Sequence, residues 1–521
     1  MAQIASLKTR YYYKLLSNLV GLVINLGIQA IVPRGLGPEA YGNFHFLTNF
    51  FNQIVGFLEL GTSSAFYIKL SQRQKDHGLI TFYLLFMVMV LTILFFMVLV
   101  STITPAHNSL WPGQNILYIY FAALYGGLLW VGRICTKMGD AFGLTVKTEI
   151  ISILQKLMGL LIVVGLFFTD QLNIETYFYY HYIIISFMAI GQIWIIALAG
   201  RLLWPFVLPT SKKLVAYIKE FYSYSHPLFI LALIALITGI LDRWILQTFS
   251  GSVQQGFYSL AFQIGSVCFI FTHAMTSLIQ REFSIAFANK DPQEMAKLFR
   301  NYIPTLYFIA AYLSCFVIIH AKQVIIFLGG DAYSGAILTT TIMAFYPLHM
   351  TYSHLSGSMF IATGQTRLYR NISGFFFIAG LPITYFFIAP VEQYGLGLES
   401  VGLAIKMVLI QFLIVNVQLY YNTKMLKLSF ANYVIHQIVS TGTLLVLAFL
   451  SQIVINKLIV DHDLQSEIIN FFLSGLLYSA GVLLLLYHLP RIAGLNKENI
   501  RQGLKFLRLS KSNEKEKSLD Q

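Results

Sequence analysis

Six cationic side chains stand inside or beside runs of apolar residues: Arg133, Lys137, Lys156, Arg243, Arg281 and Lys406. A charge placed in hydrocarbon costs about 2.5–3.5 kcal/mol on insertion scales, so such a group marks a wet cavity or a partner. Arg133 and Lys137 are four residues apart and share one helical face, where two cations together can hold an anion. Lys406 lies about two turns into an otherwise apolar helix; the alternative to a cavity role is a side chain that snorkels to the interface. The same choice applies to Lys156. Glu59, in Gly56-Phe-Leu-Glu-Leu-Gly61, is a carboxylate deep in an apolar helix, suited to taking up an ion or proton, or to one hydrogen bond between helices. Asp242 beside Arg243 reads as a structural pair or as an outer gate. Arg281 with Glu282, and Arg133 with Asp140, read as networks closing an inner mouth. Asn49, Asn52 and Gln53 can bind hydroxyl groups or join helices, and His273, His349 and His354 are helical histidines that pack or relay protons.

The elements that position these groups are helices in a bilayer. Of 521 residues, 57% are hydrophobic and only 11% charged, too few charges to cover a water-facing surface. Apolar runs of about 20 residues, enough to cross roughly 30 Å of hydrocarbon, recur almost throughout and give about 14 expected transmembrane helices in an all-α polytopic membrane protein. The first reads as an uncleaved anchor. Lys and Arg collect in alternate loops, leaving Arg34, Arg243, Lys322 and Lys457 on the other side, which puts both termini in the cytoplasm. The net charge of +13 is then topology, matched by anionic inner-leaflet lipid rather than nucleic acid. Cys135, Cys268 and Cys315 show no metal or disulfide spacing, and no P-loop is present; neither metal, cofactor nor nucleotide is expected. The runs Tyr11-Tyr-Tyr13 and Tyr177-Phe-Tyr-Tyr-His-Tyr182 read as interfacial aromatic belts.

A repeat organises the helices. Gly37-Pro-Glu-Ala-Tyr-Gly42-Asn-Phe44 returns as Gly251-Ser-Val-Gln-Gln-Gly256-Phe-Tyr258, about 214 residues on. Ala141-Phe-Gly143-Leu-Thr145 likewise returns as Ala362-Thr-Gly364-Gln-Thr366, at an offset of about 221. The division that follows is a six-helix lobe at 1–200, a cytoplasmic linker at 201–222 lying along the inner face and a second six-helix lobe at 223–427. Two added helices at 428–490 and a basic cytoplasmic tail at 491–521 complete it. Paired helical repeats of this kind are the build of carriers that rock around a central site.

Pro33-Arg-Gly-Leu-Gly-Pro-Glu-Ala-Tyr-Gly42, Gly61, Leu241-Asp-Arg-Trp-Ile-Leu246 before Gly251, and the Ala362-Thr-Gly364 turn together resemble the polysaccharide and oligosaccharide flippases of the multidrug/oligosaccharidyl-lipid/polysaccharide exporter superfamily. The resemblance covers helices 1–12. It implies two six-helix lobes in a V, alternating access, a bacterial inner membrane, and a non-enzymatic role. The implied cargo is an oligosaccharide on undecaprenyl diphosphate, for O-antigen (lipopolysaccharide), capsule or exopolysaccharide, with polymerase and chain-length proteins as expected partners. Two helices beyond the twelfth also occur in the lipid II flippase branch, where they border a groove for the lipid tail. That branch's arginine in the first helix is replaced here by Asn18, Asn25 and Gln29, which favours surface polysaccharide over peptidoglycan precursor.

For such a cargo, Arg133, Lys137, Lys156, Arg243 and Lys406 are the expected diphosphate contacts. Glu59, Asp242, Arg281 and Glu282 become gate or coupling groups, and Asn49, Asn52 and Gln53 sugar contacts. The inside-negative potential helps an anion outward by about 2.3 kcal/mol per charge per 100 mV, so no coupling ion is required. Two other functions are weighed against this one. A multidrug/ion antiporter of the same superfamily favours acidic cavities for cationic cargo. A membrane polysaccharide polymerase or ligase carries a large periplasmic loop, whereas the external loops here are short, about 15 residues or fewer.

Overall fold

The computed structural model describes residues 7–200, 207–459 and 464–495. These residues are helical almost throughout, and packing divides the chain into two compact units. One comprises Met1–Ser259, Ile326–Gly335 and Phe377–Leu403; the other comprises Leu260–Ile325, Ala336–Phe376 and Ala404–Gln521.

The first unit holds α1 (Leu7–Leu58), a π-helical turn (Glu59–Ser63), α2 (Ser64–Gln72), α3 (His77–Ile103), α4 (Ala106–Leu110), α5 (Ile116–Ala141), α6 (Thr145–Phe168), α7 (Ile174–Leu198) and most of α8 (Ser211–Cys268). Helix starts follow local chemistry. Asp76 accepts the Leu79 amide at 3.2 Å, Asn115 accepts the Leu117 amide at 2.9 Å, and Asn173 closes a capping box with Thr176 at the head of α7. The core sits where α2, α3 and α5 meet, around Phe66, Leu79, Tyr83 and Trp130; the Phe66 and Tyr83 rings stack at 4.2 Å. Of the expected linker, 201–206 lies outside the described residues, while Ser211–Glu220 forms the first turns of α8 itself.

Each of α1 and α8 is broken once, at Gly37 (φ 71°, ψ 168°) and at Gly251 (φ 77°, ψ −173°). These are nearly the same conformation, in a region open essentially to glycine alone. The two motif copies then meet. A Cβ on Gly42 would strike the backbone of Ser252, and a Cβ on Gly256 would strike the backbone of Pro38. Pro38 corresponds to Ser252 in the repeat and Gly42 to Gly256, so the crossing is reciprocal and depends on both glycines. The second repeat also has one geometry. Leu144 N donates to Gly139 O at 2.9 Å and Gln365 N to Phe360 O at 2.8 Å, closing the same helix-ending turn twice.

The second unit contains α9 (Ile270–Ala288), α10 (Pro292–Ile319), the start of α11 (Ala321–Gly329), α12 (Ile337–Met343), α13 (Tyr346–Ala362) and the first part of α14 (Thr366–Ile388). It continues with most of α15 (Glu399–Met425), then α16 (Phe430–Leu458) and α17 (Leu464–His488). Its core runs through Phe283, Phe299, Tyr307, Tyr352, Leu419 and Leu444. The last two helices are tied to α10: Tyr307 and Thr441 hydroxyls lie 2.8 Å apart, those of Tyr312 and Ser479 2.6 Å, and the Tyr312 and Tyr478 rings stack at 5.1 Å.

Eleven helices among the described residues are long and apolar enough to cross a membrane, not the expected 14. Two of the eleven are the double helices broken at glycine. The stretch 336–362 is not one helix but α12 and α13, interrupted near Pro347, which has no amide proton to continue a helix. Large apolar side chains face outward around the molecule, among them Met97, Leu161, Phe168 and Leu484, as lipid contact requires. The protein is an all-α, multi-pass membrane protein.

Candidate anion-binding site

Glu59 opens the π turn that follows α1. A π turn inserts one residue into the helical register and re-aims the side chains that follow, at the expense of hydrogen-bond geometry. Here side chains hold it: Ser64 Oγ donates to the Glu59 carbonyl at 2.9 Å and Thr62 Oγ1 to that of Leu58 at 3.0 Å. Ser63 Oγ lies 2.9 Å from the Tyr83 hydroxyl and accepts from Trp130 Nε1 at 3.2 Å. The result turns the Glu59 carboxylate toward α5, where Arg133 donates to Oε2 and Lys137 Nζ stands 3.5 Å from Oε1.

The sequence leaves Glu59 open as an ion- or proton-binding group or as a contact between helices; the structure gives it two cationic partners on α5. Two cations to one carboxylate leave an excess positive charge, and Arg133 keeps 39% of its side-chain surface accessible. A cavity of about 400 Å³ adjoins the cluster, lined by Gln53, Gly56, Glu59 and Ser64 on one side, Lys137, and Ala232, Ala235 and Leu236 of α8. Apolar small residues on the α8 wall leave room, and the cations supply charge-assisted donors, so the arrangement fits a phosphate-like anion carrying further polar groups.

Of the three expected sugar contacts, only Gln53 lines this cavity. Asn49 Nδ2 donates to the Gly239 carbonyl at 3.2 Å, tying α1 to α8. Gln53, 3.4 Å from Asn49 Oδ1, lines the cavity, while Asn52 keeps a buried Oδ1 with no hydrogen-bond partner among the described residues.

In the same unit, Lys156, Arg243 and Asp242 have partners outside the cluster formed by Glu59, Arg133 and Lys137. Lys156 Nζ donates to the Ser17 carbonyl at 2.7 Å and lies 3.1 Å from Ser17 Oγ, bracing α6 on α1 across Gly21. We therefore expect Lys156→Met to cost about 1 kcal/mol of stability, the size of one interhelical hydrogen bond, which thermal melting of the purified protein checks. Arg243 donates to Gln255 Oε1 at 3.1 Å and to Ser259 Oγ at 2.9 Å, with its guanidinium 4.2 Å from the Tyr258 ring centre. It clamps α8 across the Gly251 break. Asp242 accepts from Thr384 Oγ1 at 2.7 Å. Asp140 pairs with Lys14 at 3.2 Å, which replaces the expected Arg133–Asp140 network. Arg281 and Glu282 form an exposed neighbouring pair at 2.6 Å. Lys406, in the second unit, is 4% exposed; it is held within the protein and does not snorkel. His349 and His354 make ring contacts with Phe412 and Phe269 at 5.2 and 4.8 Å, and the side chain of His273 lies outside the described residues.

One cluster escapes sequence reading. Tyr177, Phe178 and Tyr180 are buried and not part of an interfacial belt, although Tyr179 between them is 48% exposed. They pack with His181 and with Phe44 of α1; His181 stacks on Phe44 at 5.2 Å and lies 5.2 Å from Tyr125. The missed signal is spacing: residues 177, 178 and 181 share a helical face that 179 does not.

Over 92% of this chain and 99% of the other, the structure is similar to the lipid II flippase MurJ in an inward closed conformation, with a TM-score of 0.63 and 12% identity. It is similar to an inward-facing multidrug resistance MATE transporter of the MOP superfamily over 78% of this chain and 96% of the other, TM-score 0.56, 16% identity. A MOP superfamily transporter from Pyrococcus furiosus matches over 80% and 95%, TM-score 0.52, 15% identity. At such identities the likeness establishes the fold. No curated protein matches the chain in sequence. A family model described as polysaccharide biosynthesis protein matches residues 10–279, more than half of the chain, and the protein belongs to that family.

Proposed function

We propose that the protein is a flippase that carries polyprenyl-diphosphate-linked oligosaccharide repeat units from the cytoplasmic to the outer leaflet of a bacterial inner membrane, for surface polysaccharide assembly. The observation that carries the reading is the partly exposed pair of cations around Glu59, beside a cavity with polar lining, inside a membrane protein of the polysaccharide biosynthesis family. A diphosphate leaving water needs its charge matched, and Arg133 with Lys137 supplies that match. Glu59 holds the cations when no cargo is present and yields them to the diphosphate. Gln53, which lines the cavity, is the proposed contact for sugar hydroxyls.

The two copies of the glycine motif support a division into lobes at 1–200 and 223–427, followed by helices at 428–490 and a tail at 491–521, with both termini cytoplasmic. Alternating access between the lobes moves the cargo, driven outward by the membrane potential. No catalytic step is assigned to the chain, and polymerase and chain-length proteins act after it. The test is in cells depleted of the protein, with labelling of the lipid-linked glycan from the outer face. Complete repeat units shielded from the label are the expected result. Units that reach the outer leaflet unpolymerised would assign the protein to polymerisation instead, and an untouched glycan pathway with new sensitivity to cationic drugs would make it an antiporter.

A further inference from the structure

A second cavity, about 500 Å³ and almost wholly apolar, lies in the first unit between α1, α3 and α5. Phe51, Val55 and Leu58 of α1, Leu91 of α3, and Phe121 and Trp130 of α5 wall it. The spacing 51, 55, 58 is one face of α1, while Gln53, Gly56 and Phe57 of the same turns face the polar cavity. The second half of α1 thus divides an apolar groove from a polar chamber. At one end of the groove the division is made by a charged contact. Leu58 of the groove precedes Glu59, and Trp130 of the groove stands three and seven residues before Arg133 and Lys137 on the same face of α5. Trp130 also bonds the π turn through Ser63.

We infer that this groove binds the isoprenoid chain of the carrier lipid, with its phosphates at Arg133 and Lys137; this rests on the flippase reading above. An apolar chain in the groove exchanges bilayer hydrocarbon for close packing against these side chains, so the groove selects by shape and not by removal from water. A phosphate at the end of that chain meets the excess positive charge of the cluster, which an uncharged lipid would leave unused. The Glu59–Arg133 pair bridges α1 and α5 at the point where a chain in the groove and a headgroup in the chamber must join, so opening that pair lets both be occupied at once. Ala123 and Gly127, small residues of α5 on the groove wall, leave the width for a methyl-branched chain.

The experiment uses the full chain in phospholipid nanodiscs and a polyprenyl monophosphate bearing a diazirine at the far end of its chain. After irradiation, mass spectrometry should place the adduct within residues 51–58 or 120–131. Excess unmodified polyprenyl phosphate should lower it about tenfold, and so should Ala123→Phe, which fills the groove. A second probe with the diazirine next to the phosphate should still label Ala123→Phe near Arg133, showing that the variant is folded. Competed labelling at the aromatic groove of Tyr312, Phe316 and Phe471 instead would overturn the inference and leave the flippase reading standing. Labelling of 51–58 that polyprenyl phosphate does not compete would show bulk lipid in the groove and also overturn it. Absence of competed labelling at every site would remove the carrier-lipid reading itself.

Discussion

Arg133→Ala combined with Lys137→Ala is expected to cut glycan export by at least about 100-fold, because a charge-assisted hydrogen bond is worth about 1.5–3 kcal/mol and both such donors are lost. Each single variant should lose about tenfold or somewhat more, and Arg133→Lys should recover only part, since the planar guanidinium fork is gone. Loss of stability is the competing explanation, because a variant without cations strands the Glu59 carboxylate. Removing one partner of a fully buried pair costs about 3–5 kcal/mol; this pair is partly open to water, so the penalty here is smaller. The triple variant with Gln at 59, 133 and 137 separates the two effects. It carries no stranded charge, so its melting temperature should return towards the wild-type value while export stays lost. Glu59→Gln alone frees both cations. Binding of a polyprenyl diphosphate to the purified protein should then tighten by about tenfold as export slows, because release becomes harder. A Glu59→Gln protein indistinguishable from wild type in both binding and export would end the assignment of Glu59 as the group that competes with cargo.

Gly42→Val and Gly256→Val are expected to be the most damaging substitutions away from that site. Each added side chain would meet backbone of the other motif copy, not a flexible side chain that can move aside. Overpacking of this kind costs about 1–3 kcal/mol even where neighbours can shift, and here the two segments must separate. Export should fail in either variant. The diagnostic is coupling. Once one valine has parted the segments, the second finds space, so the double variant should be destabilised by clearly less than the sum of the singles. Gly37→Ala offers the contrast: nothing lies within 4 Å of its missing Cβ, and its penalty, about 1–3 kcal/mol, comes from the backbone conformation alone. Melting curves of the purified variants decide the point; strictly additive losses for Gly42 and Gly256 would mean that the motif copies do not depend on each other.

Much of this site is legible in the amino-acid sequence. A charged residue in an apolar run is conspicuous because burial is costly, so Glu59, Arg133 and Lys137 stand out by their neighbours in the chain alone. The spacing of 133 and 137 places them on one face, since a helix repeats every 3.6 residues. What the sequence conceals is who faces whom. Glu59 and Arg133 are 74 positions apart, and their pairing depends on a π turn that shifts the register by one residue, a local distortion that no propensity encodes. Lys156 and Arg243 look as promising as Arg133 in sequence, yet the structure commits both to bracing helices. The belt of tyrosines at 177–182 misleads for a related reason: aromatic residues suit both the membrane interface and a packed interior, and composition does not separate the two.

The sequence alone determined the membrane-embedded helical class, through uninterrupted hydrophobicity. It also determined the repeat, through paired glycines whose backbone conformation almost no other residue can adopt. It marked the ionisable groups that need a partner, because a charge inside hydrocarbon persists only where a partner or water offsets its desolvation. Only the tertiary structure decided which of those charges meet, that the motif copies cross reciprocally at Gly42 and Gly256, and that one helix separates an apolar groove from a polar chamber. These are matters of register and of contact between distant segments, and a one-residue change in either re-aims every side chain beyond it.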